Sequence, residues 1–153
     1  MKRTTLALAL AFVPLSLSLA TAAIAAPAAE SLYEITKVEP KVAVGATGTA
    51  SLTIKVKGGW HVNDEAPISV ALTAPAGVTV KKAKLTRADL AASSKESARF
   101  DIPVSATEAG KKTIDAEARF VLCQEQACKP VKETVTLAIE VTPPAAAAKK
   151  KKH

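Results

Sequence analysis

Apolar and polar residues alternate without a break through Ala50-Ser51-Leu52-Thr53-Ile54-Lys55-Val56-Lys57. In an extended strand that sets Leu52, Ile54 and Val56 on one face and the polar set on the other. The same period of two returns over residues 68–72, in Val78-Thr79-Val80, over residues 98–102 and over residues 113–122. It returns once more over residues 131–141, where Val135, Leu137, Ile139 and Val141 share a face. No segment carries ten residues of clean helical period, and residues 87–95 have room for about one helical turn. Turn-forming residues punctuate the pattern at Pro40, Gly45, Gly58-Gly59, Pro67, Pro75 with Gly77, and Gly110-Lys111. Seven or eight short strands in about 115 residues predict an all-β, immunoglobulin-like antiparallel β-sandwich. Trp60, Phe100 and Phe120 fall on or beside these strands and are expected to anchor its core, with Tyr33 the remaining aromatic of the domain.

The first 25 residues have a different organisation. Lys2 and Arg3 precede an apolar run from Leu6 to about Leu19, and small residues follow, with Ala23-Ile24-Ala25 as an A-x-A site. This is the layout of a cleavable secretory signal, and the run is shorter than the about 20 residues of a membrane span. Cutting after Ala25 is expected, because a cut after Ala26 would place Pro27 at the cleaved bond. An uncleaved anchor is the alternative. No cysteine stands near the site, so a lipid-anchored form is not indicated. The expected domains are therefore a signal peptide at 1–25, a β-domain at 26–142 and a Pro/Ala/Lys tail at 143–153, with a periplasmic or secreted location.

Formal net charge is +7, but six of the positive charges are Lys2, Arg3, Lys149, Lys150, Lys151 and Lys152, which leaves +1 on the domain. A nucleic-acid binder carries its basic footprint on the folded body, so no nucleic-acid partner is expected. The tail lacks apolar periodicity and reads as disordered. Its four lysines are either a solvated end or a tether to an anionic envelope surface, at about 1 kcal/mol per lysine at low salt. Recognisable catalytic triads, phosphate loops and paired-carboxylate sites are absent from the sequence.

Cys123 and Cys128 are the only cysteines, in Phe120-Val121-Leu122-Cys123-Gln124-Glu125-Gln126-Ala127-Cys128-Lys129-Pro130. In an exported protein such a pair most often forms a disulfide, and a hairpin at this spacing brings the two Cα atoms within reach. Closing so short a loop stabilises a fold by only about 2 kcal/mol, against about 4.7 for a loop of roughly 100 residues. A bond that contributes little to folding can open and close without unfolding the domain, which suits redox exchange. Short structural disulfides are equally compatible with the spacing. Metal binding is the weaker third reading, since two thiolates supply half a tetrahedral site and the only histidines are His61 and His153. No metal or other cofactor is expected. His61 reads as a structural histidine at a strand edge.

Gly59-Trp60-His61-Val62-Asn63 resembles the glycine–aromatic–His–hydrophobic–Asn run in N-terminal domains of the thiol:disulfide interchange protein DsbD family. About sixty residues later, Phe120-Val121-Leu122-Cys123 and Cys128-Lys129-Pro130 are similar to that family's strand, Cys, short loop, Cys and proline. The resemblance covers roughly residues 32–141. It implies an immunoglobulin-like periplasmic domain with one reversible disulfide, with Cys128 the exchanging thiol and Cys123 its resolving partner. It further implies thioredoxin-like periplasmic proteins as acceptors and a membrane electron donor, here expected as a separate protein. Lys129 would favour the Cys128 thiolate and Glu125 would oppose it. The family shields its cysteines with a cap loop bearing aromatic residues. The corresponding residues 86–97 hold Arg87, Asp89 and Leu90 and no aromatic, so Asp89 and Leu90 are the expected cap. Either Leu90 covers the pair less well than an aromatic cap, or the redox role has been lost and the disulfide kept. The alternative to exchange is a non-enzymatic structural or binding module of the cell envelope with an inert disulfide.

Overall fold

The computed structural model describes residues 31–144, so the expected signal peptide at 1–25 and Lys149 to Lys152 lie outside the described residues. The strands are β1 (Tyr33–Val38), β2 (Lys41–Ala43), β3 (Thr47–Val56), β4 (His61–Val62), β5 (Ser69–Thr73) and β6 (Val78–Val80). They continue with β7 (Lys84–Thr86), β8 (Leu90–Ser93), β9 (Ser97–Ala106), β10 (Gly110–Cys123) and β11 (Cys128–Thr142). Seven of these have four or more residues. The other four are pieces of two or three residues that pair along the margins of longer strands; β6 is the expected Val78-Thr79-Val80 segment, whereas β2, β4 and β7 carry no signal in the turn spacing.

The strands form two sheets. In the first, the order is β1-β3-β9-β6, and β8 pairs with the part of β9 that β6 leaves open. In the second, the order is β2-β11-β10-β5-β7, with β4 on the end of β10 beyond β5. All pairs are antiparallel except β2 with β11. The chain leaves the first sheet after β1 at Glu39-Pro40, where proline supplies no N–H to continue the ladder, and β2 joins the second sheet. This crossing runs close over β3: a Cβ on Gly48 would come within 2.5 Å of Val42 Cγ2, so only glycine fits without a shift.

The core lies between the two inner faces. Leu52 and Ile54 on β3 and Ala98, Phe100, Ile102 and Val104 on β9 meet Ile114, Ala116, Ala118, Phe120 and Leu122 on β10 and Leu137, Ile139 and Val141 on β11. Each set is spaced by two, as the alternation predicts. The fold is an all-β immunoglobulin-like sandwich. Val56 and Val135 share these faces but are half-buried. Phe100 and Phe120 are buried and Trp60 packs against the core from its margin. Residues 87–95 do contain the single helical turn, a 3-10 turn at Arg87–Asp89, and then enter β8.

Tyr33 closes one open side of the sandwich. Its ring meets Phe120 edge-on, with centroids 5.2 Å apart and planes at 89°, and its hydroxyl donates to Glu133 Oε2 at 2.8 Å. β1 thus reaches across to β10 and β11 of the other sheet. Burial, followed by the hydrogen bond and the negative charge of Glu133, raises the Tyr33 pKa to about 12. The folded pKa lies above the unfolded value near 10, so this contribution to stability is complete below pH 10 and is lost as pH rises towards 12. Tyr33 is the sole tyrosine. Tyrosinate absorbance of the folded protein is expected to rise with a midpoint near 12. An ordinary midpoint near 10 would contradict the Glu133 contact. Among the described residues no helix is long and apolar enough to cross a membrane.

Candidate functional site: the disulfide at the tip of the long hairpin

β10 and β11 form a hairpin of fourteen register pairs whose last pair is Cys123 with Cys128. Gln124 N–H donates to Ala127 O at 2.8 Å and closes the loop just beyond them. The cysteine Cα atoms are 4.1 Å apart, close to the spacing of directly facing residues that exchange no backbone hydrogen bonds, and the sulfurs are bonded. The alternation that sets the strand thus also sets the two sulfurs opposite one another.

The two ends of the bond have different surroundings. Cys128 is exposed, as are Lys129 and Pro130 after it and Gln124 to Ala127 before it. Cys123 is only 4% exposed. Leu122 faces the core, so strand alternation sends Cys123 to the outer face, and its burial needs a separate cover. β4 supplies part of it: Val62 pairs with Leu122 and His61 with Cys123. Immediately after β4, Asn63 N–H donates to Val121 O at 2.9 Å, and the Asn63 Nδ2 amide donates to Cys123 Sγ at 3.1 Å.

The turn that places β4 depends on Gly58-Gly59. Both have positive φ, 65° and 75°, which other residues adopt at a cost. Gly58 O accepts from Gln124 Nε2 at 3.2 Å, which ties this turn to the cysteine loop. The Asn63 side chain is held from its other end. Its Oδ1 accepts from Glu65 N–H at 2.8 Å and Ala66 N–H at 2.7 Å, so the oxygen faces the turn and the NH₂ faces sulfur. Arg87 Nη2 donates to Asn63 O at 2.8 Å and to Ala66 O at 2.5 Å, fastening the same turn.

The remaining site residues of the sequence are scattered. Glu125 and Lys129 are exposed on either side of Cys128, and neither forms an ion pair among the described residues. Asp89 turns to Lys82 and to Thr86, whose N–H and hydroxyl it accepts; Lys82 and the Thr86 N–H hold its carboxyl below the usual carboxylate range. It lines a hollow with Leu72, Leu85 and Ile102. Leu90 starts β8 and pairs with Phe100 of the first sheet. The hydrogen bonds and pairings of Asp89 and Leu90 therefore lead away from the disulfide. Residues 90–93 are paired strand rather than loop, because the margin of β9 left open by β6 offers them a ladder. Instead, Arg87 acts at the site through the Asn63 turn. Asn63 stood in the quoted motif without a role, and Arg87, 24 residues away, gave no local signal.

Open hollows flank this end of the molecule, one lined by His61, Asn63, Asp64, Glu65 and Lys95 and another by Gly59, Gln124, Glu125 and Gln126. Among the described residues no group of three or more His, Cys, Asp or Glu side chains is arranged to hold a metal. A disulfide with one cysteine in solvent and the other packed against an amide offers an incoming thiolate a single side of approach.

No family model matches the chain, and no curated protein matches its sequence. Among solved structures it is similar to the ASH/PapD-like domain 7 of human CEP192, at 9% identity and a TM-score of 0.41, over 82% of this chain and 96% of that one. It is also similar to the major fimbrial subunit AggA from Escherichia coli, at 14% identity and a TM-score of 0.37, over 72% of this chain and 94% of that one. A third similar structure is that of domains 4 and 5 of the S-layer protein SbsC, at 15% identity and a TM-score of 0.40 over 73% of this chain; the match spans about half, 51%, of that structure.

Proposed function

We propose that this protein is an extracytoplasmic thiol–disulfide exchange module whose working group is the Cys123–Cys128 pair. The observation that carries this reading is the unequal exposure of the two cysteines at the tip of a hairpin that does not depend on their bond. A thiolate of a partner protein attacks Cys128 Sγ, forming a mixed disulfide as the Sγ–Sγ bond breaks and its electron pair passes to Cys123. A second thiolate of the same partner then attacks the partner's own sulfur. Cys128 is released and the pair is left as a dithiol, two electrons richer. The reverse sequence hands those electrons on. The ladder of fourteen pairs supports the strands in both states, and closing so short a loop contributes only about 2 kcal/mol. Thioredoxin-like proteins as acceptors, a membrane donor and a periplasmic location follow from the resemblance of Gly59 to Asn63 and of Cys123 to Pro130 to the DsbD family.

The deep placement of Cys123 favours a second reading, a non-enzymatic module of the cell envelope in which the disulfide is an inert staple. In that case Lys149 to Lys152 are the contact to anionic surfaces. Equilibration in glutathione and dithiothreitol buffers, followed by alkylation and mass measurement, separates the two. Exchange predicts a reduction potential above about −300 mV. A lower value marks an inert bond and removes the exchange reading; loss of envelope association on deletion of Lys149 to Lys152 would then support the second reading.

A further inference from the structure

We infer that Asn63 is a catalytic residue of this exchange, stabilising Cys123 as the leaving thiolate, and that Arg87 is the residue that positions it. The inference rests on the exchange reading above. When a thiolate attacks Cys128, the negative charge that develops on the protein appears on the sulfur of Cys123, the less exposed of the two cysteines. A buried thiolate without a donor is costly, and a hydrogen bond to a charged group is roughly twice as strong as one to a neutral group. The Asn63 Nδ2–H bond at 3.1 Å is therefore weak to the disulfide and stronger to the thiolate. It stabilises the departing state more than the resting one, which is the condition for acceleration.

Two features make this more than a chance contact. The Asn63 amide cannot turn its oxygen to sulfur without giving up both turn hydrogen bonds from Glu65 and Ala66. The turn itself is fastened by the Arg87 fork on Asn63 O and Ala66 O. The guanidinium thus spends its donors on the backbone and sets the position of the amide. Other charged or titratable groups at this end are His61 opposite Cys123, Asp64, Glu65 and Lys95 in the adjoining hollow, and Glu125 and Lys129 beside Cys128. None of them makes a hydrogen bond to the Cys123 sulfur among the described residues.

The test uses dithiothreitol as the attacking dithiol and the oxidised protein. Asn63→Ala is expected to slow reduction about tenfold. Asn63→Asp keeps an oxygen to accept both turn hydrogen bonds but replaces the donor with a negative charge, and is expected to slow it further. Arg87→Ala, which loosens the turn, is expected to slow it about threefold. A readout independent of packing is the titration of Cys123 by thiolate absorbance in a Cys128→Ala background, which Asn63→Asp should move to higher pH. If Asn63→Ala does not fold, Asn63→Asp decides. Unchanged rates and an unchanged Cys123 titration in Asn63→Asp would overturn the role of Asn63 and leave the exchange reading standing. A reduction potential of the unaltered protein below about −300 mV would remove the exchange reading itself.

Discussion

Phe100→Ala is expected to destabilise the domain by about 3–5 kcal/mol and to lower its melting temperature by about 15 °C. Phe100 has no exposed surface and lies on β9, which is paired with β3 along one margin and with β6 and β8 along the other. Leu52 of β3 stands opposite it on one side and Leu90 of β8 on the other. Truncation removes the transfer energy of a whole ring and leaves a cavity that three strands in fixed register cannot close. Phe100→Leu, which keeps most of the volume, should cost less than half as much. The difference between the two variants in a calorimetric melt isolates the cavity contribution. A loss below about 1 kcal/mol for the alanine variant would mean that the layer repacks freely, contrary to the interlocked register.

Much of this core was legible in the sequence because strand period is a local property. Leu52, Ile54, Phe100, Ile102, Phe120, Leu137 and Ile139 are buried as their spacing implies. Of the short strands only β6 is legible, in Val78-Thr79-Val80; β2, β4 and β7 exist because a longer neighbour offers hydrogen-bonding groups, and so few residues carry little period of their own. The same contrast applies at the disulfide. The facing of Cys123 and Cys128 follows from a hairpin of four loop residues, but the unequal exposure of the two does not. Leu122 and Cys123 are both buried, a break in the alternation that only the arrival of β4 and Asn63 explains. Arg87 reaches that turn across 24 residues. The expected cap of Asp89 and Leu90 rests on the family resemblance, which places a loop over residues 86–97, whereas residues 90–93 are drawn into the ladder of β9. Long-range pairing of this kind leaves no mark on the local pattern.

Single-cysteine variants should behave very differently from each other. With Cys123→Ala, Cys128 remains on the exposed hairpin tip with no resolving partner, and oxidised glutathione is expected to accumulate on it as a stable mixed disulfide. With Cys128→Ala, the remaining Cys123 is 4% exposed beneath Asn63 and reacts only when that end of the hairpin opens. Local openings cost free energy, so its modification is expected to be slower on the order of a hundredfold. Both variants lose the cross-link and should therefore be destabilised by similar amounts, about 2 kcal/mol, in a denaturant titration. The comparison is informative because the stability effect is common to the two and the accessibility effect is not. Mass measurement of glutathionylation over time gives both rates directly. Rates within a factor of three of each other would show that Cys123 is as reachable as Cys128, and directed attack at Cys128 would lose its basis. A protein in its disulfide form, used in place of oxidised glutathione, should be captured by Cys123→Ala alone. The exposed Cys128 thiolate attacks one sulfur of that disulfide, the other sulfur leaves as a thiol, and no neighbouring cysteine releases the captured protein.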